Sequence, residues 1–168
     1  MIRMDVKQWW YDAKRWLYRE QRPNWIARLV KSAWSALFSS GLLPDSMVTL
    51  EVIGRTSGRV VMLPVAVAEV SGQRYLVSML GEHAQWVRNV RAAGGKAMFR
   101  HGSREAVHLE EVPVDQRAPI LKAYLRIAPG ARPHVPVNKN AELVEFEQVA
   151  MAFPVFHVVS TVCAHSSI

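Results

Sequence analysis

The chain has 168 residues, half of them hydrophobic and 21% charged, a balance that suits one folded domain with a real core and excludes a disordered chain. Its formal net charge of +7 favours an anionic partner: a phosphorylated cofactor, an acidic membrane surface or a nucleic acid. The single Cys163 excludes an intramolecular disulfide and a cysteine-based zinc site, and makes a reducing cytoplasm the simplest compartment.

Two amphipathic helices are expected first. One runs over Val6 to Glu20, with Trp9, Ala13, Trp16 and Leu17 at helical spacing, and Pro23 breaks it. Asn24 can cap a second helix over Trp25 to Phe38, which Gly41 and Pro44 stop. The first residues show no continuous apolar stretch and no small-residue cleavage site, so no secretory signal is expected. No run of about 18 apolar residues exists that could cross a membrane as a helix.

From Met47 the pattern becomes β-like. Strands are expected at Met47 to Ile53, Val60 to Val70 and Arg74 to Met79, the last two joined through Ser71-Gly72-Gln73. Pro64 within the second strand implies an edge, a bulge or a late strand start. A short helix over Ala84 to Ala93 ends at Gly94-Gly95. A second hairpin, Lys96 to Arg100 and Glu105 to Val112, turns at His101-Gly102-Ser103. Helices are expected at Asp115 to Ile127 and Glu142 to Ala152, a proline-containing loop between them, and a final strand at Val155 to Val162. The fold class is therefore mainly β with helices (α+β), a small antiparallel barrel of about six strands. Residues 1–43 read as an N-terminal helical extension and residues 44–168 as the barrel domain.

Few residues announce chemistry. The six histidines are dispersed without metal-ligand spacing, and no metal site is expected. No nucleophile elbow, Walker loop or dinucleotide fingerprint occurs. Glu110 and Glu111 are neighbours on a strand, so they face opposite sides, cannot act as a paired acid and base, and are read as solvated.

Two segments stand out. Gly54-Arg55-Thr56-Ser57-Gly58-Arg59 joins two strands and carries two guanidinium groups, two hydroxyls and two glycines. It is either an anion grip or an ordinary hairpin turn, since the same residues serve both. Ser78-Met79-Leu80-Gly81 then ends a strand and leads into a helix bearing Trp86, Arg88 and Asn89. Such junctions present free N–H groups to ligands, while a tryptophan there can equally anchor the helix to the core.

In order, Gly54-Arg55-Thr56-Ser57-Gly58, Pro64, Ser78-Met79-Leu80-Gly81, Trp86-Val87-Arg88-Asn89 and the strand Pro154-Val155-Phe156-His157-Val158 resemble the pattern of the deazaflavin-dependent nitroreductase family of split β-barrel oxidoreductases. The resemblance covers roughly Met47 to Ser160. It implies a split β-barrel that binds coenzyme F420 and transfers a hydride from its reduced form to a quinone, nitroaromatic or similar conjugated acceptor. Arg55, Thr56, Ser57, Gly58 and Arg59 would receive the cofactor's phosphate. Ser78, Met79, Leu80 and Gly81 would line the ring through backbone groups, with Trp86 and Asn89 in the pocket wall. Tyr124 or water would supply the proton. Thr56 stands where many relatives have lysine, and Val61 where many have a further arginine.

Because related split barrels bind flavin mononucleotide, FMN is the alternative cofactor. Nucleic-acid binding is not expected, because basic residues are spread out and no recognised motif appears. The non-catalytic alternative is a lipid- or membrane-binding barrel. Trp9, Trp10, Trp16, Trp25 and Trp34 sit among lysines and arginines, as in interfacial helices, so residues 1–40 could rest on the inner face of the cytoplasmic membrane. The same helices could instead pack on the barrel or on a second subunit of a homodimer. Liposome co-sedimentation separates these readings. A variant beginning at Leu43 is expected to sediment less than the full chain, and equal sedimentation removes the membrane role.

Overall fold

The computed structural model describes residues 46–161, so the two helices expected over Val6 to Glu20 and Trp25 to Phe38, the expected 1–43 extension, Val162 and Cys163 lie outside the described residues. The strands are β1 (Met47–Ile53), β2 (Val60–Val70), β3 (Gln73–Val77), β4 (Lys96–His101), β5 (Ser103–Glu111) and β6 (Val155–Ser160). They close into an antiparallel barrel in the order β1-β2-β3-β6-β5-β4, with β4 returning to β1. The helices are α1 (Gln85–Ala92), α2 (Arg117–Ile127) and α3 (Leu143–Val149). This is the α+β split barrel expected from the sequence.

Alternation builds the barrel, because successive strand residues point to opposite faces. Val48, Leu50 and Val52 of β1 pack inside with Leu76, Phe99, Val107, Leu109, Phe156 and Val158. In β2 the alternation serves two cores at once. Leu63, Val65 and Val67 join the interior, whereas Ala66, Ala68 and Val70 face a second cluster outside it. That outer cluster holds Leu121, Tyr124 and Leu125 of α2, Phe146 of α3, and Val77 of β3.

Pro64 sits opposite Thr49 of β1, and the pairing of β2 with β3 begins only at Val67. The proline therefore occupies a stretch with a partner on one side alone, so no third strand needs its absent N–H. Two helices begin or end more tightly than the sequence pattern implies. A 3₁₀ turn at Val114–Gln116 precedes α2, and another at Ala150–Ala152 follows α3. β3 ends at Val77: the next pair in register, Ser78 and Pro154, makes one bond, from the Ser78 N–H to the Pro154 carbonyl at 2.9 Å, and Pro154 has no N–H to return.

One sequence expectation needs correction. Glu110 is exposed, but Glu111 is not simply solvated. It accepts from Arg91 at 2.9 and 2.6 Å and from Arg117 at 3.2 Å. Arg117 is buried and also donates from Nε to the Val112 carbonyl at 2.8 Å. Arg91 reaches Glu82 at 2.7 Å, so α1, the turn before it, the end of β5 and the start of α2 share one network of charge. Charges this far apart in sequence give no local signal.

A second network crosses the barrel wall. Arg74 of β3 holds Glu105 of β5 with two bonds, at 2.9 and 2.5 Å, and Ser160 of β6 joins both. Hydrogen bonding from Arg74, and secondarily from Ser160, holds the Glu105 carboxyl below its ordinary value of 4.5. A depressed folded value means that the stabilisation is present above that value and is lost as pH falls through the lower folded one. Both partners are about a third exposed, which limits the pair to about 0.5–1 kcal/mol. In urea melts, Glu105→Gln is expected to lower stability by that amount at neutral pH, with the difference vanishing in acid. A difference independent of pH would contradict the assignment.

Candidate functional site

The connection between β1 and β2 is a closed turn. The Gly54 N–H donates to the Arg59 carbonyl at 2.8 Å, the Gly58 N–H donates to the Gly54 carbonyl at 2.8 Å, and the Arg59 N–H donates to Ser57 Oγ at 3.3 Å. Gly54 is buried and has no room for a side chain: a Cβ there would lie 2.8 Å from Ser57 Oγ and 3.3 Å from the Arg59 carbonyl oxygen. The amides of Gly54, Gly58 and Arg59 are thus engaged in closing the turn, and what it presents outward is its side chains. Arg55, Thr56, Ser57 and Arg59 are all exposed. Among the described residues, the Arg59 guanidinium and the Thr56 hydroxyl have no partner.

The turn is fastened to α1. The Arg55 N–H donates to Asn89 Oδ1 at 3.2 Å. Its guanidinium Nη1 donates to the same oxygen at 3.2 Å and to Gln85 Oε1 at 2.9 Å. Asn89 is buried, 5% exposed, and α1 is seated by Val87 and Val90, which enter the barrel interior. Arg55 and Asn89, 34 residues apart and assigned by the resemblance to the phosphate and the pocket wall, are in direct contact. Gln85 is a residue that reading missed, because an exposed glutamine at a helix start carries no signal of its own.

The turn before α1 is built from Ser78 to Ala84. Ser78 is buried and donates its hydroxyl to the Gly81 carbonyl at 2.8 Å, the Gly81 N–H returns to the Ser78 carbonyl at 3.1 Å, and the Ala84 N–H donates to the Gly81 carbonyl at 3.3 Å. Gly81 has φ +78°, and a Cβ there would approach the Ala152 carbonyl oxygen to 3.1 Å, so both backbone conformation and space call for glycine. Met79 packs against the outer cluster and Leu80 is 46% exposed. Trp86 packs on the barrel interior with its ring 5.5 Å from that of Phe156, which makes it an anchor of α1. Arg88 donates to His83 Nδ1 at 3.1 Å. The Glu82 carboxyl lies below its ordinary value, chiefly because Arg91 hydrogen-bonds it.

Tyr124 lies elsewhere. It is 5% exposed in the outer cluster, and burial pushes its phenol up to about 12. Val61 packs against the barrel interior, so a basic side chain at this position would point toward apolar surroundings. No helix among the described residues is long and apolar enough to cross a membrane.

Residues 38–134, containing both turns and α1, match the family model for F420H(2)-dependent quinone reductase. The chain belongs to that family. It is an oxidoreductase. Solved structures similar to this F420H(2)-dependent quinone reductase family member share little sequence. A domain-swapped dimer is 17% identical with a TM-score of 0.50, over 80% of this chain and 97% of that one. A protein of unknown function from Agrobacterium tumefaciens is 9% identical with a TM-score of 0.52, over 77% of this chain and 55% of that one. An F420-H2 dependent reductase is 18% identical with a TM-score of 0.48, over 70% of this chain and 96% of that one. The first two likenesses show the shared fold alone. No curated protein matches the sequence.

The crowding at Gly54 is directly testable. Gly54→Ala is expected to destabilise by about 1–3 kcal/mol in urea melts, as overpacking does, and to shift the amide signals of Arg55, Ser57 and Asn89 together. Unchanged stability and spectra would show that the turn is looser than its contacts imply.

Proposed function

We propose that the Gly54–Arg59 turn holds the phosphate of coenzyme F420, and that this family member reduces a quinone, a nitroaromatic or a similarly conjugated acceptor. The observation that carries the proposal is the fastening of exposed Arg55 to Gln85 and Asn89 beside exposed hydroxyls. The donor set fits a phosphorylated group. The turn contains two arginines, a threonine and a serine and no acid, and the first turn of α1 also lacks an acidic residue. The compact closure at Gly54 brings these donors onto one short loop.

Each residue then has a task. Arg55 and Arg59 supply charge to the phosphate, Thr56 supplies a hydroxyl, and Ser57 orders the loop by accepting from the Arg59 N–H. The self-bonded Ser78–Gly81 turn gives a fixed edge for the ring, with Leu80 as its exposed apolar surface. Asn89 fixes the turn from below and Trp86 holds α1 to the barrel. The reduced deazaflavin, when bound, supplies a hydride from C5. The proton for the reduced acceptor comes from water, because Tyr124 is buried in the outer cluster and burial makes its phenol a weaker acid.

Fluorescence titration with F420 tests the assignment, followed by F420H2 oxidation assays with a quinone and a nitroaromatic. Wild type is expected to bind, and Arg55→Ala to weaken binding about 10–100-fold, the range for a hydrogen-bonded charge. Wild type that binds no F420, or that purifies yellow with bound flavin, would overturn the cofactor assignment.

A further inference from the structure

We propose that Gln85 and Asn89 are positioning residues that fix the Arg55 guanidinium before an anion arrives; this rests on the reading of the Gly54–Arg59 turn as a phosphate grip. The two residues are one helical turn apart on α1, so their amide oxygens face the same side. Gln85 Oε1 lies 2.9 Å and Asn89 Oδ1 3.2 Å from Arg55 Nη1, so the two hydrogens of that one nitrogen are both taken. The Arg55 N–H is held by the same Asn89 oxygen at 3.2 Å, which fixes the residue at both ends.

The geometry selects an edge. Among the described residues, Nε and Nη2 of Arg55 have no partner, and that pair of donors matches two oxygens of a phosphate. The clamp is built from amides, and this matters electrostatically. An aspartate or glutamate at either position would hold the guanidinium equally well but neutralise it. A neutral acceptor orders the cation and leaves its charge for the ligand. A side chain ordered in advance loses less freedom on binding, so the clamp raises affinity without touching the ligand.

Gln85 is the better position to test, because it is exposed and touches the guanidinium alone, whereas Asn89 is buried and also supports the turn. Wild type, Gln85→Ala, Arg55→Ala and the double variant are titrated with F420, and the relaxation of the Arg55 Nε–H is measured by NMR without ligand. Gln85→Ala is expected to weaken F420 binding about 3–10-fold with its melting temperature unchanged, and to increase the mobility of the Arg55 Nε–H. In the Arg55→Ala background the same substitution is expected to have no further effect. Unchanged affinity and mobility in Gln85→Ala, or equal losses with and without Arg55, would overturn the clamp. Wild type that fails to bind F420 overturns the cofactor reading instead, and the relaxation measurement then decides the clamp by itself.

Discussion

The site depends on one buried acceptor. Asn89 Oδ1 takes a backbone N–H and a guanidinium nitrogen from Arg55, and no covalent neighbour brings the two residues together. A buried amide oxygen left without donors costs about 1–3 kcal/mol, so the turn and the helix constrain one another. The constraint works only because α1 is itself immobile. Val87 and Val90 insert into the barrel interior, and Trp86 meets Phe156 of β6. The chain of dependence runs from apolar packing, through one helix, to the conformation of an exposed loop. The proposed phosphate grip is therefore a loop whose geometry is set by the core.

The turn from Ser78 to Ala84 holds a comparable place between the two cores. Val77 and Met79 belong with the outer cluster, whereas Ala84 and Val87 belong with the barrel interior. In between, Ser78 and Gly81 satisfy one another, and Gly81 leaves room for the Ala152 carbonyl of the 3₁₀ turn before β6, which an added Cβ would crowd. The Glu82–Arg91–Glu111–Arg117 network adds a polar tie across the same region. A segment held by apolar clusters on both sides and by charge from α2 is suited to present a fixed edge to a flat ligand.

What the sequence made legible follows from range. Strands of period two are encoded locally, and six strands appear close to the expected positions, whereas the double-sided use of β2 shows only once both cores are assembled. The two motif segments were legible because they occur in the order of a known family pattern, although each alone reads as an ordinary turn. Gln85 was not, since its partner lies 30 residues away and its own chemistry is that of any surface glutamine. Glu111 was misread for the same reason: it looks like one of a solvated pair until Arg91, 20 residues back, and buried Arg117 are placed beside it. Trp86 carried two readings in the sequence, and its contact with Phe156 supports the anchoring one.

The departures at Thr56 and Val61 bear on how such a turn can bind with fewer charges. Val61 packs on the interior, so its position contributes to the barrel instead of to the ligand. Thr56 adds a hydroxyl where a lysine would add a solvated cation. An exposed ion pair contributes about 0.2–1 kcal/mol, because solvent screens it and a long side chain must be ordered to make it. Arginine carries about 1.5–2 kcal/mol of rotamer entropy, and Arg55 has already lost part of it to Gln85 and Asn89. The two magnitudes are comparable. A turn that orders one guanidinium in advance can therefore offset much of what one additional flexible cation would contribute, and it does so with a directional fork in place of a diffuse charge.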